Sequence, residues 1–291
     1  MSPDAPRSVA VVGLGLIGAS LCRALRQRLP DVEVIGVAHR AEVAARASAD
    51  GTCHRAGTDP ELLAGAEVAV LCTPVDAMPE WLHACAGVDG LLVTDAGSTK
   101  TWIAERGNEV LGSRFLGGHP MAGRERSGYD AADAALFEGA TWVLTPAGPG
   151  HLERFRGWVG VVEAIGAEVE VVDAAIHDRA VAWISHLPFA LSAALVRAAG
   201  AAPEWPVAAV LAASGFRDMA RLAGGDPAMY ASILATNADE MRAALDGFEA
   251  ELAELRRLLD DPAGVMEHFA QARRERAVWY AQRAAAGRPV L

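Results

Sequence analysis

Two rhythms of apolar and polar residues divide the chain. In its first part, short apolar runs recur at SVAVVG (8–13), VEVIGV (32–37), EVAVLC (67–72), LLVTDA (91–96), TWVLTP (141–146) and EVEVVD (168–173). They are rich in β-branched residues, nearly continuous in apolar character and only a few residues long, which predicts strands buried on both faces. Between most of them the apolar positions return every three or four residues, as in GASLCRALRQRL (18–29) and GHLERFRGWVGVVEAIG (150–166). That is the period of a helix with one buried face. Strand and helix in alternation predict a parallel sheet covered on both sides.

After Asp173 the strand runs stop. Residues 174–199, 227–259 and 262–286 carry helical periodicity, with GGDP (224–227) and DDP (260–262) as helix boundaries. The expected fold class is α/β: a doubly wound, Rossmann-type domain over residues 1–172, then an all-α domain over 173–291. Alanine-rich helices with apolar stripes make that second domain the expected site of homodimer formation.

Composition narrows the partners. The chain has 291 residues, a net charge of −11 and no basic block. Nucleic acid and anionic membranes need clustered Lys and Arg, so neither is an expected partner, whereas an anionic small molecule needs only a few local arginines. Cys22, Cys53, Cys72 and Cys85 are irregularly spaced with no C-x-x-C pair, as expected of reduced thiols in a cytoplasmic protein. No histidine and carboxylate set has metal-ligand spacing, so no metal is expected. The apolar start RSVAVVGLGLIGASLC (7–22) holds three closely spaced glycines and puts Leu21 where a small residue would precede a cleavage site, so it is not read as an export signal. No apolar run approaches the ~20 residues of a membrane span.

The candidate chemistry begins at VVGLGLIG (11–18), where Gly13, Gly15 and Gly18 stand in G-x-G-x-x-G spacing after a predicted strand. Gly13 permits the tight turn, Gly15 lets the backbone approach a pyrophosphate, and Gly18 lets the helix pack on the strand. Leu16 and Ile17 open the helix whose N-terminus faces the negative charge. This is the pattern of a dinucleotide site; a glycine turn that merely packs is the alternative. The second strand ends in VAHR (37–40), with Ala38 where an acidic residue would bind the 2′-hydroxyl of NAD. With no carboxylate to repel a 2′-phosphate, and His39 and Arg40 to contact one, NADP is favoured over NAD. Alternatively, Arg40 is a solvated residue at a helix start. Thr73 and Pro74 end one later strand and Gly97 and Ser98 follow another, on the crevice side where a cofactor lies.

His119 follows another strand end, in GGHPMAGRERSG (117–128). A neutral imidazole there suits removal of a hydroxyl proton while hydride leaves for a nicotinamide, with Ser98 hydrogen-bonded to the same oxygen. A buried histidine capping a turn is the alternative. Asp178, Ala182, Ser185 and Phe189 share one face of an otherwise apolar helix, which needs either a ligand or an internal hydrogen-bond network.

DAGSTK (95–100), GGHPMAGRERSG, HDRAVAWISHLPFALSAAL (177–195) and GFRDMARLAGGDPAMYASILATN (215–237) together resemble the prephenate and arogenate dehydrogenases of tyrosine biosynthesis, in the family's order and over nearly the whole chain. The resemblance implies oxidative decarboxylation of a cyclohexadienol by NAD or NADP. It implies that His119 accepts the C4 hydroxyl proton, that Ser98 bonds that hydroxyl, and that Arg221 binds a substrate carboxylate. Glu125, Asp178, Ser185, Asp218 and Tyr230 match positions that line or gate the pocket. Several members read SHLPH where this chain has Phe189, which leaves prephenate and arogenate, and an aminated analogue, as alternative substrates. Related dehydrogenases that use a lysine from the helical domain are disfavoured, because residues 174–291 contain no lysine. A nucleotide sensor without chemistry would explain the glycine loop but not Ser98, His119 and Arg221 together.

Overall fold

The computed structural model describes residues 5–124 and 126–287. One eight-stranded sheet carries the first compact unit, which runs to Ala238. Its strands are β1 (Ser8–Val12), β2 (Glu33–Val37), β3 (Arg55–Gly57), β4 (Val68–Leu71), β5 (Leu92–Asp95), β6 (Phe115–Pro120), β7 (Thr141–Thr145) and β8 (Glu168–Val171). Their order is β3-β2-β1-β4-β5-β6-β7-β8. The first six strands are parallel, and chain direction makes their order reverse between β1 and β4, where a doubly wound sheet opens a crevice for a ligand.

Successive residues along each strand enter opposite cores, because side chains alternate across a sheet. Val9, Val11, Val34, Val68, Val70 and Leu116 join one core, and Ala10, Val12, Ile35, Ala69, Leu71 and Phe115 the other. Helices α1 (Leu16–Arg28) and α2 (Ala41–Ala49) cover the first face. Helices α3 (Met78–Ala86) and α4 (Thr101–Leu111) cover the second. Beyond the crossover, α5 (His151–Arg154) and α6 (Arg156–Ala164) divide the expected single helix 150–166 at Phe155, and α6 places Trp158, Val161 and Val162 in the first core.

The expectation of a wholly parallel sheet is corrected: β6 and β7 are antiparallel, with His119 opposite Val143, while β7 and β8 are parallel. A parallel return needs a crossover that carries the chain back along the sheet, usually a helix. Between Pro120 and Thr141 the described residues hold only a single 3₁₀ turn, Tyr129–Ala131. Strand β3 was not expected, because its three half-buried residues, Arg55–Gly57, leave no apolar run to read.

The helices that follow the sheet are α7 (Ala174–Val181), α8 (Leu187–Gly200), α9 (Trp205–Leu211), α10 (Ser214–Ala220) and α11 (Pro227–Thr236). A π-helical turn at Ala182–His186 joins α7 to α8. The continuous helical segment Ala174–Gly200 is long and apolar enough, by length and composition, to cross a membrane. The unbroken apolar runs within it stay short, because histidines, serines and charged residues interrupt them. His177, Asp178, His186 and Ser192 are buried polar residues within it, as befits a helix packed inside a protein. The second compact unit, from Asp239, consists of α12 (Ala238–Leu258, whose first residue belongs to the first unit) and α13 (Pro262–Ala285). Met266, Phe269, Val278 and Trp279 of α13 are exposed.

Candidate active site

At the end of β1 the chain turns through Gly13 at a φ of +95°, and a Cβ there would meet the Cys72 carbonyl carbon at 2.9 Å. A Cβ on Gly18 would lie 1.9 Å from the Gly13 carbonyl oxygen, so no other residue lets α1 start against this turn. Gly15, the N-cap of α1, has open space where a side chain would stand, and no side chain caps that end. The first-turn amides of Leu16, Ile17 and Gly18 belong to an uncapped helix end, a fitting cradle for a phosphate. Thr73, at the end of β4, has a buried hydroxyl oxygen with no protein partner. These features fit a dinucleotide. His39 and Arg40 are exposed beyond β2, and Arg40 lies 3.7 Å from Glu42. Pro74 is exposed, whereas Gly97 is buried and donates its amide to Asp95 at 2.8 Å.

His119 lies within β6, almost enclosed, rather than after a strand end. The preceding Gly118 is required by close approach: a Cβ there would stand 2.6 Å from the Asp95 carbonyl oxygen. The Gly118 amide donates to the Asp95 carboxylate at 3.0 Å, and its carbonyl accepts from Lys100 Nζ at 2.6 Å. Lys100 also donates to the Asp95 carboxylate, and both side chains are 0% exposed. Lys100 is the single lysine of the sequence. That was the available signal for a residue the motif reading passed over: a chain that otherwise uses only arginine keeps a compact ammonium where a guanidinium is too large.

The neighbours of His119 come from α7. His119 Nδ1 is 2.9 Å from His177 Nε2, and His177 Nδ1 is 2.8 Å from Asp178 Oδ1. The Asp178 oxygens also accept the Lys100 and Thr101 amides, each at 2.7 Å. Asp178 therefore caps α4, whose own N-cap residue, Lys100, supplies no side-chain cap. Burial, the largest single influence, raises its pKa, but the bonds from His177, Thr101 and Lys100 together bring it below the ordinary carboxylate value. Asp178 was expected to line or gate a pocket; it is instead enclosed and spent on this network.

The π-turn explains a second correction. It adds a residue to the helical repeat, so that His186, not Ser185, joins Asp178, Ala182 and Phe189 among the buried residues. Ser185 is half-buried. Asn237 Nδ2 donates to the Asp178 carbonyl at 2.9 Å and lies 3.1 Å from His186 Nδ1, which puts the His186 proton on Nε2, a buried atom without a protein partner. His177, His186, Asn237 and Lys100 are thus additions to the expected set. Phe189 stacks on Tyr230 with ring centroids 4.0 Å apart, and the Tyr230 hydroxyl donates to the Leu222 carbonyl at 2.9 Å. Arg221 is exposed and within electrostatic reach of that hydroxyl. Asp218, also exposed, accepts from its neighbour Arg217 at 3.1 Å. Ser98 is half-buried in the loop between β5 and α4. Glu125 lies outside the described residues.

Burial first, then the nearby His177, Lys100 and His186, hold His119 well below the ordinary imidazole pKa. Burial also pushes His186 down to about 4, with Asp178 opposing and His177 reinforcing the shift. Both rings are neutral at pH 7. The unfolded chain takes up these protons near pH ~6.5 and the folded chain does not, so stability is complete above that pH and is lost as pH falls toward 4. His186 alone accounts for about 3 kcal/mol of that loss. Thermal melting followed from pH 7 to pH 4 is expected to show a steady fall in Tm; a flat profile over that range would contradict the buried neutral pair.

Comparison with known proteins now bears on this geometry. Residues 21–171 match the family described as "Prephenate dehydrogenase, nucleotide-binding domain", and residues 173–273 match "Prephenate dehydrogenase, dimerization domain". The chain belongs to the prephenate dehydrogenase family. It is 35% identical to the prephenate dehydrogenase of Lactococcus lactis over 90% of this chain and 74% of that protein. Among solved structures, prephenate dehydrogenase from A. aeolicus in complex with hydroxyphenyl propionate and NAD+ superposes with a TM-score of 0.88 at 28% identity, covering 93% of this chain and 97% of that one. Synechocystis arogenate dehydrogenase superposes at 0.79 with 34% identity, covering 94% and 99%. As a member of this family the chain is an oxidoreductase, and the resemblance in its four motifs is borne out at that level.

Proposed function

We propose that the protein is a prephenate dehydrogenase, oxidising and decarboxylating prephenate to 4-hydroxyphenylpyruvate with NADP favoured over NAD. The observation that carries this reading is His119: an enclosed, neutral imidazole on β6, near the same C-terminal end of the parallel strands as the glycine turn that follows β1. A bound nicotinamide would supply the acceptor for the hydride that leaves the substrate's C4. Gly13, Gly15, Leu16, Ile17 and Gly18 would hold the pyrophosphate, Thr73, Pro74 and Gly97 would border the nicotinamide side, and His39 and Arg40 would meet the 2′-phosphate.

The chain's own part is proton transfer and placement. His119 takes the C4 hydroxyl proton at its free ring nitrogen, while Ser98 hydrogen-bonds the same oxygen. The ring carboxylate leaves as carbon dioxide, its bonding electrons enter the ring, and His119 returns the proton to the phenolate oxygen. Aromatisation drives the step, so positioning and exclusion of water are the main demands on the protein. Arg221 holds a substrate carboxylate at the rim, beside the stacked Phe189 and Tyr230, with Ser185 and Asp218 as further pocket residues; Glu125 keeps the pocket role that the motif resemblance implies. Arg221→Ala is expected to raise the substrate KM by the equivalent of about 1.5–3 kcal/mol with a smaller change in kcat. An unchanged KM would assign the carboxylate to another residue.

Phe189 favours a second reading. It puts an aromatic face where relatives with SHLPH have an imidazole, which leaves arogenate, with its ammonium group, as the alternative substrate and tyrosine as the product. Reduction of NADP and of NAD, each measured with prephenate and with arogenate, tests both readings. The expected result is fastest turnover with prephenate and NADP. Turnover confined to arogenate would select the second reading, and a strong NAD preference would overturn the assignment of His39 and Arg40.

The division at 172/173 is retained as a functional one, between cofactor and substrate parts. A cytoplasmic location accords with four free thiols. The exposed Met266, Phe269, Val278 and Trp279 of α13 support a homodimer formed by the helical part. A monomeric mass in solution at micromolar concentration would contradict it.

A further inference from the structure

We infer that His177 is a positioning residue for the base: with Asp178 it fixes the tautomer of His119 that leaves Nε2 free to accept a proton. The inference rests on the proposed reaction for its kinetic consequence, but not for its structural one.

The chain of bonds has one consistent proton assignment. Asp178 is ionised and already accepts two backbone amides, so a carboxylate oxygen facing His177 Nδ1 at 2.8 Å can only accept. His177 therefore carries its proton on Nδ1, which leaves its Nε2 as an acceptor. The partner of that nitrogen, 2.9 Å away, is His119 Nδ1, which must then be the donor. His119 is left with an unprotonated Nε2, and that nitrogen makes no hydrogen bond among the described residues. The other tautomer of a neutral His119 would set two lone pairs against each other in a site closed to water.

The arrangement is anchored at each end. His119 is held on β6, whose Gly118 is tied to Asp95 and Lys100, and Asp178 is held at the N-terminus of α4. The two imidazole planes stand at 76° with centroids 5.1 Å apart, so the contact is edge-on and not a stack. When His119 accepts the hydroxyl proton at Nε2, its Nδ1–H remains bonded to His177, and the new positive charge faces the Asp178 carboxylate through one ring. His177 and Asp178 need not change protonation during the cycle.

The test compares the wild-type protein with His177→Leu, which removes the acceptor, and His177→Gln, which keeps an oxygen acceptor toward His119. In protein labelled with ¹⁵N-histidine, the ring-nitrogen shifts of His119 are expected to report the Nδ1–H tautomer in the wild type. In His177→Leu the proton is expected to move to Nε2, with kcat lowered about 100-fold and substrate KM within about threefold. His177→Gln should recover at least tenfold of that loss. An Nε2–H tautomer in the wild type, a His177→Leu kcat within threefold of normal, or no rescue by glutamine would each overturn the inference. Should the leucine variant fail to fold, the wild-type tautomer and the glutamine variant still decide. The nitrogen shifts need no turnover, so a wild type that reduces no cofactor would remove the proposed reaction while the tautomer assignment is judged separately.

Discussion

Replacing His119 with asparagine is expected to lower kcat by about 10²–10⁴, the usual contribution of a positioned general base. Asparagine keeps an amide that can donate to His177 Nε2, so the network to Asp178 and α4 is retained and the protein should stay folded. The loss should fall on kcat and kcat/KM alike, because the proton moves only in the transition state and the resting contacts with substrate are few. Cofactor affinity, proposed to be set at the glycine turn and the end of β4, should change by less than about twofold. A variant with near-normal kcat would leave His119 as a buried strand residue and nothing more.

The second large effect is expected at Lys100. Lys100→Met removes the ammonium that faces Asp95 and the Gly118 carbonyl, leaving a carboxylate enclosed without its counter-charge. Breaking a buried pair from one side costs roughly 3–5 kcal/mol. For a chain of this size each kcal/mol moves Tm by about 2–4 °C, so a fall of roughly 10 °C is expected. Lys100→Arg should recover little, because the site is wholly enclosed and a guanidinium is wider than an ammonium. Adding Asp95→Asn to Lys100→Met should recover a large part, since no uncompensated charge then remains and the amide oxygen still accepts the Gly118 amide. Urea unfolding of the single and double variants measures this directly. A cost below about 1 kcal/mol for Lys100→Met would show that the pair does not hold β6 in place.

What could be read from the sequence, and what could not, follows from how far each feature reaches along the chain. Strands β1, β2, β4 and β5 announce themselves because both faces are buried, which leaves an unbroken apolar run in the sequence. The direction of β7 leaves no such trace: pairing sense depends on the path of residues 121–140, not on the composition of TWVLT. The glycine turn was legible because close approach of backbone to backbone admits only glycine at Gly13 and Gly18.

The α7–α8 face departs from a regular helical repeat at one definite place. A repeat of 3.6 residues aligns Asp178 with Ser185, but the π-turn at Ala182–His186 brings His186 inward instead. The network around His119 was hidden for a different reason. His177 lies 58 residues from His119 and Asn237 lies 51 from His186, and nothing local in the chain encodes those meetings. Of the two alternatives for the polar strip, an internal network accounts for Asp178.

In the proposed reaction this chain couples hydride removal to loss of the ring carboxylate. The measurement that tests it most directly is the stoichiometry of one reaction mixture: prephenate, oxidised nicotinamide cofactor and purified protein, with reduced cofactor, carbon dioxide and 4-hydroxyphenylpyruvate all quantified. The three are expected in equal amounts. Reduced cofactor without carbon dioxide, or no reduction with either NAD or NADP, would contradict it.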